Sequence, residues 1–285
     1  MPEMKELWLT PKALPSIPVE AEVICPDAVA GRTLKDVSSL EVYVGNVTHS
    51  LGDFFEVEGE LAEQASEQMI VVDGTCQTVK YIGAKMTAGR IHVKGCAGMH
   101  AGSQMSGGEM LVEGNTRDWA GAEMSGGLLR IMDDSRNMTG AAYRGSPEGM
   151  TGGCIVVDGN AGVELGSFMR RGMIVVTGDV APFCGVHMNG GEIFIMGKAA
   201  RRLGAEAKGN GGFIACLGGV DEILPTYVHE TTYTPTFMKL YMKQLRDALG
   251  LEAAAKFLET PFRRYVGDLA VGGNCEILVA ERGAD

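Results

Sequence analysis

Along the middle of the chain, two apolar positions separated by one variable position recur every 19 residues. Ile91, Met110, Leu129, Ile155, Ile174, Ile193 and Phe213 occupy the first, and Val93, Val112, Ile131, Val157, Val176 and Ile195 the second. An apolar pair with one residue between its members is a short strand that buries one face. The intervening position holds His92, Leu111, Arg130, Val156, Val175 and Phe194, a mixture that suits an outward face which sometimes meets a partner.

Glycine keeps the same phase. Gly95, Gly114, Gly159, Gly178 and Gly197 follow the strands, and Gly102, Gly121, Gly140, Gly166, Gly185 and Gly204 fall further along each turn. Such columns mark corners that need positive φ or close backbone approach. Met86, Met105, Met124, Met169 and Met188 form a third apolar column, a flexible filler for an irregular interior. A period of this length predicts a solenoid. Three short strands per turn with glycine corners predict a right-handed parallel β-helix of about seven turns, roughly 34 Å long. The turn from Ile70 is slightly long, and the one from Leu129 carries seven extra residues around Gly145 to Thr151. No period of six is visible, which excludes the left-handed hexapeptide helix and its acyltransferases.

The ends depart from the repeat. Residues 1–68 are expected to form an α/β cap over the open first turn, with a strand at Glu41 to Val44 and a short helix near Arg32 to Val37. The solenoid is placed at 69–219 and a carboxyl-terminal extension at 220–285. In that extension TYTPTFMKLYMKQLRDALG predicts a helix with Thr234 as N-cap and Pro235 at the first helical position. Its stripe of Met238, Met242, Leu245 and Leu249 is expected to pack on the last solenoid turn or on a partner.

Composition narrows the function. With 285 residues, 45% of them apolar, and 41 glycines held in phase, the chain is an ordered body. Its net charge of -11 argues against nucleic acid as a partner. The charged start MPEMKELWLTPK is not a signal peptide, and no apolar run approaches a membrane span, so a cytoplasmic location is expected. The seven cysteines are scattered singly without a CxxC pair, as thiols in a reducing cell would be.

No catalytic constellation emerges. His49, His92, His100, His187 and His229 form no metal-binding pair, and Asp133 and Asp134 lie in the turn-like run DDSRN. The doublets Arg170–Arg171 and Arg201–Arg202, with Lys208, are the one candidate contact, for a polyanion or an acidic partner. Glycine pairs follow the solenoid period and not a strand–loop–helix unit, so nucleotide-binding loops are excluded. No catalytic residue and no metal ligand is expected in this chain.

The segments IPVEAEV and LGDFFEVEG, the G-x6-G-x4-GG turns such as GNTRDWAGAEMSGG, the GKAARRLG turn and FRRYVGDLAVGGNCEIL carry a resemblance across nearly the whole chain. By these the sequence resembles the C subunit of formylmethanofuran dehydrogenase, and more distantly the glycine-repeat domain of the glutamate synthase large subunit. The Gly273-Asn274-Cys275-Glu276-Ile277 ending departs from the GKGEI-like ending expected there. The resemblance implies a non-catalytic scaffold in a complex that reduces carbon dioxide to formate and condenses it with methanofuran. It implies partners that carry a molybdenum or tungsten pterin, iron–sulfur clusters and an amidohydrolase-type metal centre. The alternatives are the equivalent subunit of a formyltransferase/hydrolase complex and a free-standing carbohydrate-active β-helix enzyme.

Overall fold

A computed structural model describes residues 4–281. Mainly β with few helices, it is dominated by a 13-stranded sheet. Ten neighbouring strands in that sheet run parallel, starting with Lys5–Pro11, Gln68–Val72 and Arg90–Val93. Ser106–Val112, Ser125–Ile131, Thr151–Val157, Arg171–Val176 and Glu192–Ile195 follow, and Phe213–Cys216 and Cys275–Ala280 complete the set. Phe55–Gly59 pairs antiparallel at one edge, and Phe262–Gly267 then Val228–Tyr233 do so at the other. A separate four-stranded sheet holds Val19–Glu20, Glu41–Val44, Val47–Ser50 and Val79–Lys80.

The register follows the two apolar columns. Leu129, Ile155, Ile174 and Ile193 stack in one, Ile131, Val157, Val176 and Ile195 in the other, and all are fully buried. Each such side chain contributes roughly 1.5–3 kcal/mol on leaving water. Met86, Met105, Met124, Met150, Met169 and Met188 lie in the same core, also without exposure.

Several details differ from the sequence reading. Ile193 pairs with Ile214, so Ile214 continues the first column, while Phe213 turns to the other side of the sheet against Phe194 at 5.4 Å. The preceding turn is longer than its neighbours, with Gly209, Gly211 and Gly212 taking up the slack. Each turn has one continuous strand and one isolated parallel bridge, through Ala97, Thr116, Ser135, Ala161, Val180 and Ala199, instead of three strands. The sheet also extends beyond the repeat: Leu7 and Leu9 pair with Ile70 and Val72 at one end, Ile277 and Val279 with Ile214 and Cys216 at the other. Gln68, fully buried, fastens the first junction by donating to the Lys5 carbonyl at 2.9 Å and accepting from the Ala62 amide at 2.7 Å.

The two glycine columns answer different needs. Gly121 has φ +60°, while Gly197 has an ordinary φ but lies so close to the previous turn that a Cβ would sit 2.3 Å from the Gly178 carbonyl oxygen. Beside these corners a side-chain ladder links successive turns. Asn115 Oδ1 accepts from the Asp134 amide at 2.9 Å, Asp134 Oδ1 from the Asn160 amide at 2.7 Å, Asn160 Oδ1 from the Asp179 amide at 2.8 Å, and Asp179 Oδ1 from the Lys198 amide at 2.7 Å. Asp134 is thus a ladder member that caps the next turn.

The outward position is divided. Val156, Val175, Phe194 and Ala215 are fully buried under the helix Thr236–Asp247, whose Met238, Met242 and Leu245 face them. The stripe therefore packs across four strands and not on the last turn alone. The helix begins one residue later than its sequence signals predict: Pro235 keeps an extended ψ of 121° and is itself the N-cap. A helix Leu34–Ser38 is capped by Thr33, whose hydroxyl accepts from the Asp36 amide at 3.2 Å. Among the described residues no helix is long and apolar enough to cross a membrane.

Candidate functional site

The corner after each bridge is built from alternating left-handed residues. Gly102, Gly121, Gly185 and Gly204 are each flanked, two residues before and after, by non-glycine residues at positive φ. The leading column contains Tyr81, His100, Trp119, Met138, Glu164, Phe183 and Arg202; the trailing one contains Lys85, Gln104, Glu123, Phe168, His187 and Glu206. Bulky side chains are costly in this region, so the corner imposes a repeated local strain that the stacked turns hold in place.

Aromatic rings exploit the stacking. Tyr81 and His100 lie 4.5 Å apart at 9°, and His100 and Trp119 5.5 Å apart at 16°. The extra residues after Gly140 then bring Tyr143 back over this column, where its hydroxyl lies 3.0 Å from His100 Nδ1. Burial first and the Lys80 charge second push the His100 imidazole down to about 4, against the opposing effect of Glu20 and Asp118. At neutral pH the ring is uncharged, and the Tyr143 hydroxyl, pushed up to about 12 by burial, stays protonated beside it. Further along, Phe168 stacks on His187 at 4.5 Å, and the Arg202 guanidinium lies 5.7 Å from the Phe183 ring centre. The insertion also borders an open cleft of about 300 Å³ lined by residues such as Tyr143, Arg144, Pro147, Glu164 and Phe168.

The arginine doublets occupy two parts of the turn. Arg170 bonds through Nη2 to the Pro147 carbonyl at 2.9 Å, and its amide and that of Lys208 make equivalent bonds to methionine carbonyls of the preceding turn. Arg201 and Arg202 fall seven and six residues before Lys208, on the leading side of the corner. Arg171, Arg201 and Lys208 are exposed and make no side-chain hydrogen bond or ion pair among the described residues.

Burial pushes the Cys25, Cys76, Cys216 and Cys275 thiols up to about 12 and Cys154 up to about 11, which keeps them protonated. Among the described residues no group of three or more histidines, cysteines and carboxylates converges as metal ligands. His92 bonds Glu113 at 2.7 Å, and His187 lies 3.4 Å from Glu206. The aromatic column is missing from the sequence reading, although His100, Trp119 and Phe183 share one place in the turn, a recurrence that could have revealed it.

No protein-family model matches the chain. Over 97 residues it is 45% identical to the C subunit of the tungsten-containing formylmethanofuran dehydrogenase 2 of Methanothermobacter marburgensis, covering 34% of this chain and 36% of that one. Over 98 residues it is 44% identical to the C subunit of the molybdenum-containing formylmethanofuran dehydrogenase 1 of Methanosarcina barkeri, covering 34% and 33%. The chain thus spans about a third of the length of these relatives. Among solved structures it is similar to a chain of the formyltransferase/hydrolase complex of Methylorubrum extorquens in complex with methylofuran. That likeness has a TM-score of 0.83 and 27% identity, and covers 96% of this chain and 100% of the other. In sequence over a third of its length, and in fold over nearly all of it, the chain resembles the C subunit of formylmethanofuran dehydrogenase and a component of a formyltransferase/hydrolase complex.

Proposed function

We propose that the chain is a non-catalytic scaffold subunit of a formylmethanofuran dehydrogenase, a complex that reduces carbon dioxide to formate and condenses it with methanofuran. The observation that carries this reading is the 45% identity to the C subunit of such an enzyme over 97 residues. In this reading the parallel strands form a right-handed β-helix, residues 69–219, between a cap at 1–68 and an extension at 220–285. Stacked turns make a rigid body whose faces hold partners at fixed separation. The subunits that produce and consume formate dock on it, so that formate passes between them without entering bulk solvent. The complex works in the cytoplasm.

The residues of this chain do not fit a molybdenum or tungsten pterin, an iron–sulfur cluster or an amidohydrolase metal. Its thiols are dispersed and largely buried, and His100, His92 and His187 are engaged with Tyr143, Glu113 and Glu206. Those centres are assigned to the partner subunits, and no chemical step is assigned to this chain.

A second reading makes it the equivalent subunit of a formyltransferase/hydrolase complex, favoured by the likeness in fold at a TM-score of 0.83. Native mass spectrometry of the complex purified anaerobically from its own cells, with molybdenum and tungsten assayed on the same sample, separates the two. A multi-subunit particle containing either metal is expected. A large particle with neither metal supports the second reading, and a lone protein overturns both.

A further inference from the structure

Basic side chains in much of this chain have acidic partners. Lys80 pairs with Glu20 at 3.2 Å, Lys85 with Glu22 at 3.0 Å, Arg90 with Glu109 at 2.9 Å and Arg264 with Glu276 at 2.7 Å. From Arg136 to Lys208 the pattern changes: of the lysines and arginines there, only Lys198 has an ion pair among the described residues, with Asp221. Carboxylates are plentiful in a chain of net charge -11, so a stretch of unpaired cations is a local departure from its own composition. One of them, Arg202, adjoins the aromatic side chain of Phe183, whose backbone amide bonds to the Arg201 carbonyl at 3.3 Å. Phe183 is 38% exposed and sits at φ 67°, where glycine or asparagine would fit with less strain. The Arg202 guanidinium lies over its ring, leaving a charged and apolar ridge on the corner.

The neighbouring surfaces are otherwise occupied. The helix Thr236–Asp247 covers the outward face of the last turns, and antiparallel strands close both edges of the sheet. An exposed aromatic ring under an arginine, with a second unpaired arginine next to it in the chain, is the side-chain chemistry found at the centres of protein interfaces. We propose that Phe183, Arg201 and Arg202 dock an acidic segment of a neighbouring protein subunit. Its carboxylates pair with the two guanidiniums and an apolar side chain covers the ring. This rests on the reading of the chain as one subunit of a complex.

The test compares tagged full-length chains expressed in the native host: the parent, a triple variant with Phe183→Asn, Arg201→Gln and Arg202→Gln, and a control with Leu240→Ser. Leu240 is 70% exposed on the far side of the helix. Partner subunits retained on the tag are weighed by native mass spectrometry across a salt series, and hydrogen exchange follows the strand Arg171–Val176 in each chain. The triple variant is expected to retain partners at least ten-fold less well at physiological salt, with strand protection unchanged because asparagine tolerates the left-handed backbone. The Leu240→Ser chain is expected to match the parent. Equal retention by the triple variant overturns this inference and leaves the subunit reading intact. Loss of strand protection, or equal loss in the control, also overturns it. A parent chain that retains no partner defeats the subunit reading and this inference with it.

Discussion

Arg130 reaches across 119 residues of sequence to donate from Nη1 to the Leu249 carbonyl at 2.8 Å, just beyond the end of the carboxyl-terminal helix. The same guanidinium holds the Asp158 carboxylate through Nε at 2.7 Å and Nη2 at 3.1 Å. One outward-facing side chain thus joins two adjacent strands and pins the helix that covers them. It also lies where the outward column passes from half-buried His92 and Leu111 to fully buried Val156.

Replacing Arg130 with methionine keeps the apolar stem but leaves Asp158 without its fork and the Leu249 carbonyl without a donor. Because all three groups are partly exposed, the expected loss is about 1–3 kcal/mol. Arg130→Lys is expected to recover only part of it, since an ammonium cannot bridge both partners in this geometry. Urea unfolding gives the magnitude. Hydrogen exchange should show faster opening of residues 236–251 with little change in the strand Glu192–Ile195. Uniform loss of protection would mean that Arg130 supports the stack and not the helix contact.

Asn160 occupies the centre of the side-chain ladder, where its Nδ2 donates to Asp134 Oδ1 at 3.1 Å and its Oδ1 accepts from the Asp179 amide. Asn160→Ala removes that acceptor at an exposed corner, where water can replace it, and a loss of about 0.5–1 kcal/mol is expected. Asn160→Ser, whose hydroxyl can accept from the same amide without setting a second carboxylate against Asp134, should cost less. If Asn160→Ala and Asn160→Ser melt together, the accepting oxygen is not what the corner needs.

Gly197→Ala tests close approach without any confusion from backbone φ. The added methyl group would meet the Gly178 carbonyl oxygen at 2.3 Å, and that atom belongs to the stacked backbone, so the two turns must separate. The expected cost exceeds the roughly 1 kcal/mol that glycine-to-alanine changes make through the unfolded chain, and it has the opposite sign. A melting temperature equal to or above that of the parent would contradict the close packing of these corners.

The repeat is legible in the sequence because each turn restates it: Ile155, Ile174 and Ile193 identify one another by phase. Lys5–Pro11 occurs once, outside any period, and its partner Gln68–Val72 lies some sixty residues downstream, so nothing local marks it as part of the same sheet. Phe213 falls in the buried column by sequence spacing because the preceding turn differs in length, and only the pairing of Ile193 with Ile214 places it on the other face. The aromatic corner is harder to read. Its members share a backbone conformation and not a side-chain type, so Trp119, Glu164 and Arg202 look unrelated until φ is known. The arginine doublets are visible as charge, but that they form no ion pair among the described residues is a property of the folded surface.

His100 makes the stability of this corner depend on pH. Its folded value, near 4, lies below the roughly 6.5 of an unfolded histidine, so below 6.5 the unfolded chain binds the extra proton first. The contribution of His100 is therefore complete above about pH 6.5 and falls away as the pH drops toward 4. Between pH 7 and pH 5 the expected loss is on the order of 2 kcal/mol, because a unit of separation is worth about 1.4 kcal/mol and most of the unfolded-state titration lies in that interval. His100→Gln removes the titrating group while keeping a polar side chain within reach of the Tyr143 hydroxyl. Urea midpoints of parent and variant at both pH values isolate the effect from the other carboxylates and histidines, which are common to both. The variant should lose about 2 kcal/mol less than the parent on acidification, and equal losses would show that the imidazole is protonated as readily in the folded chain as in the unfolded one.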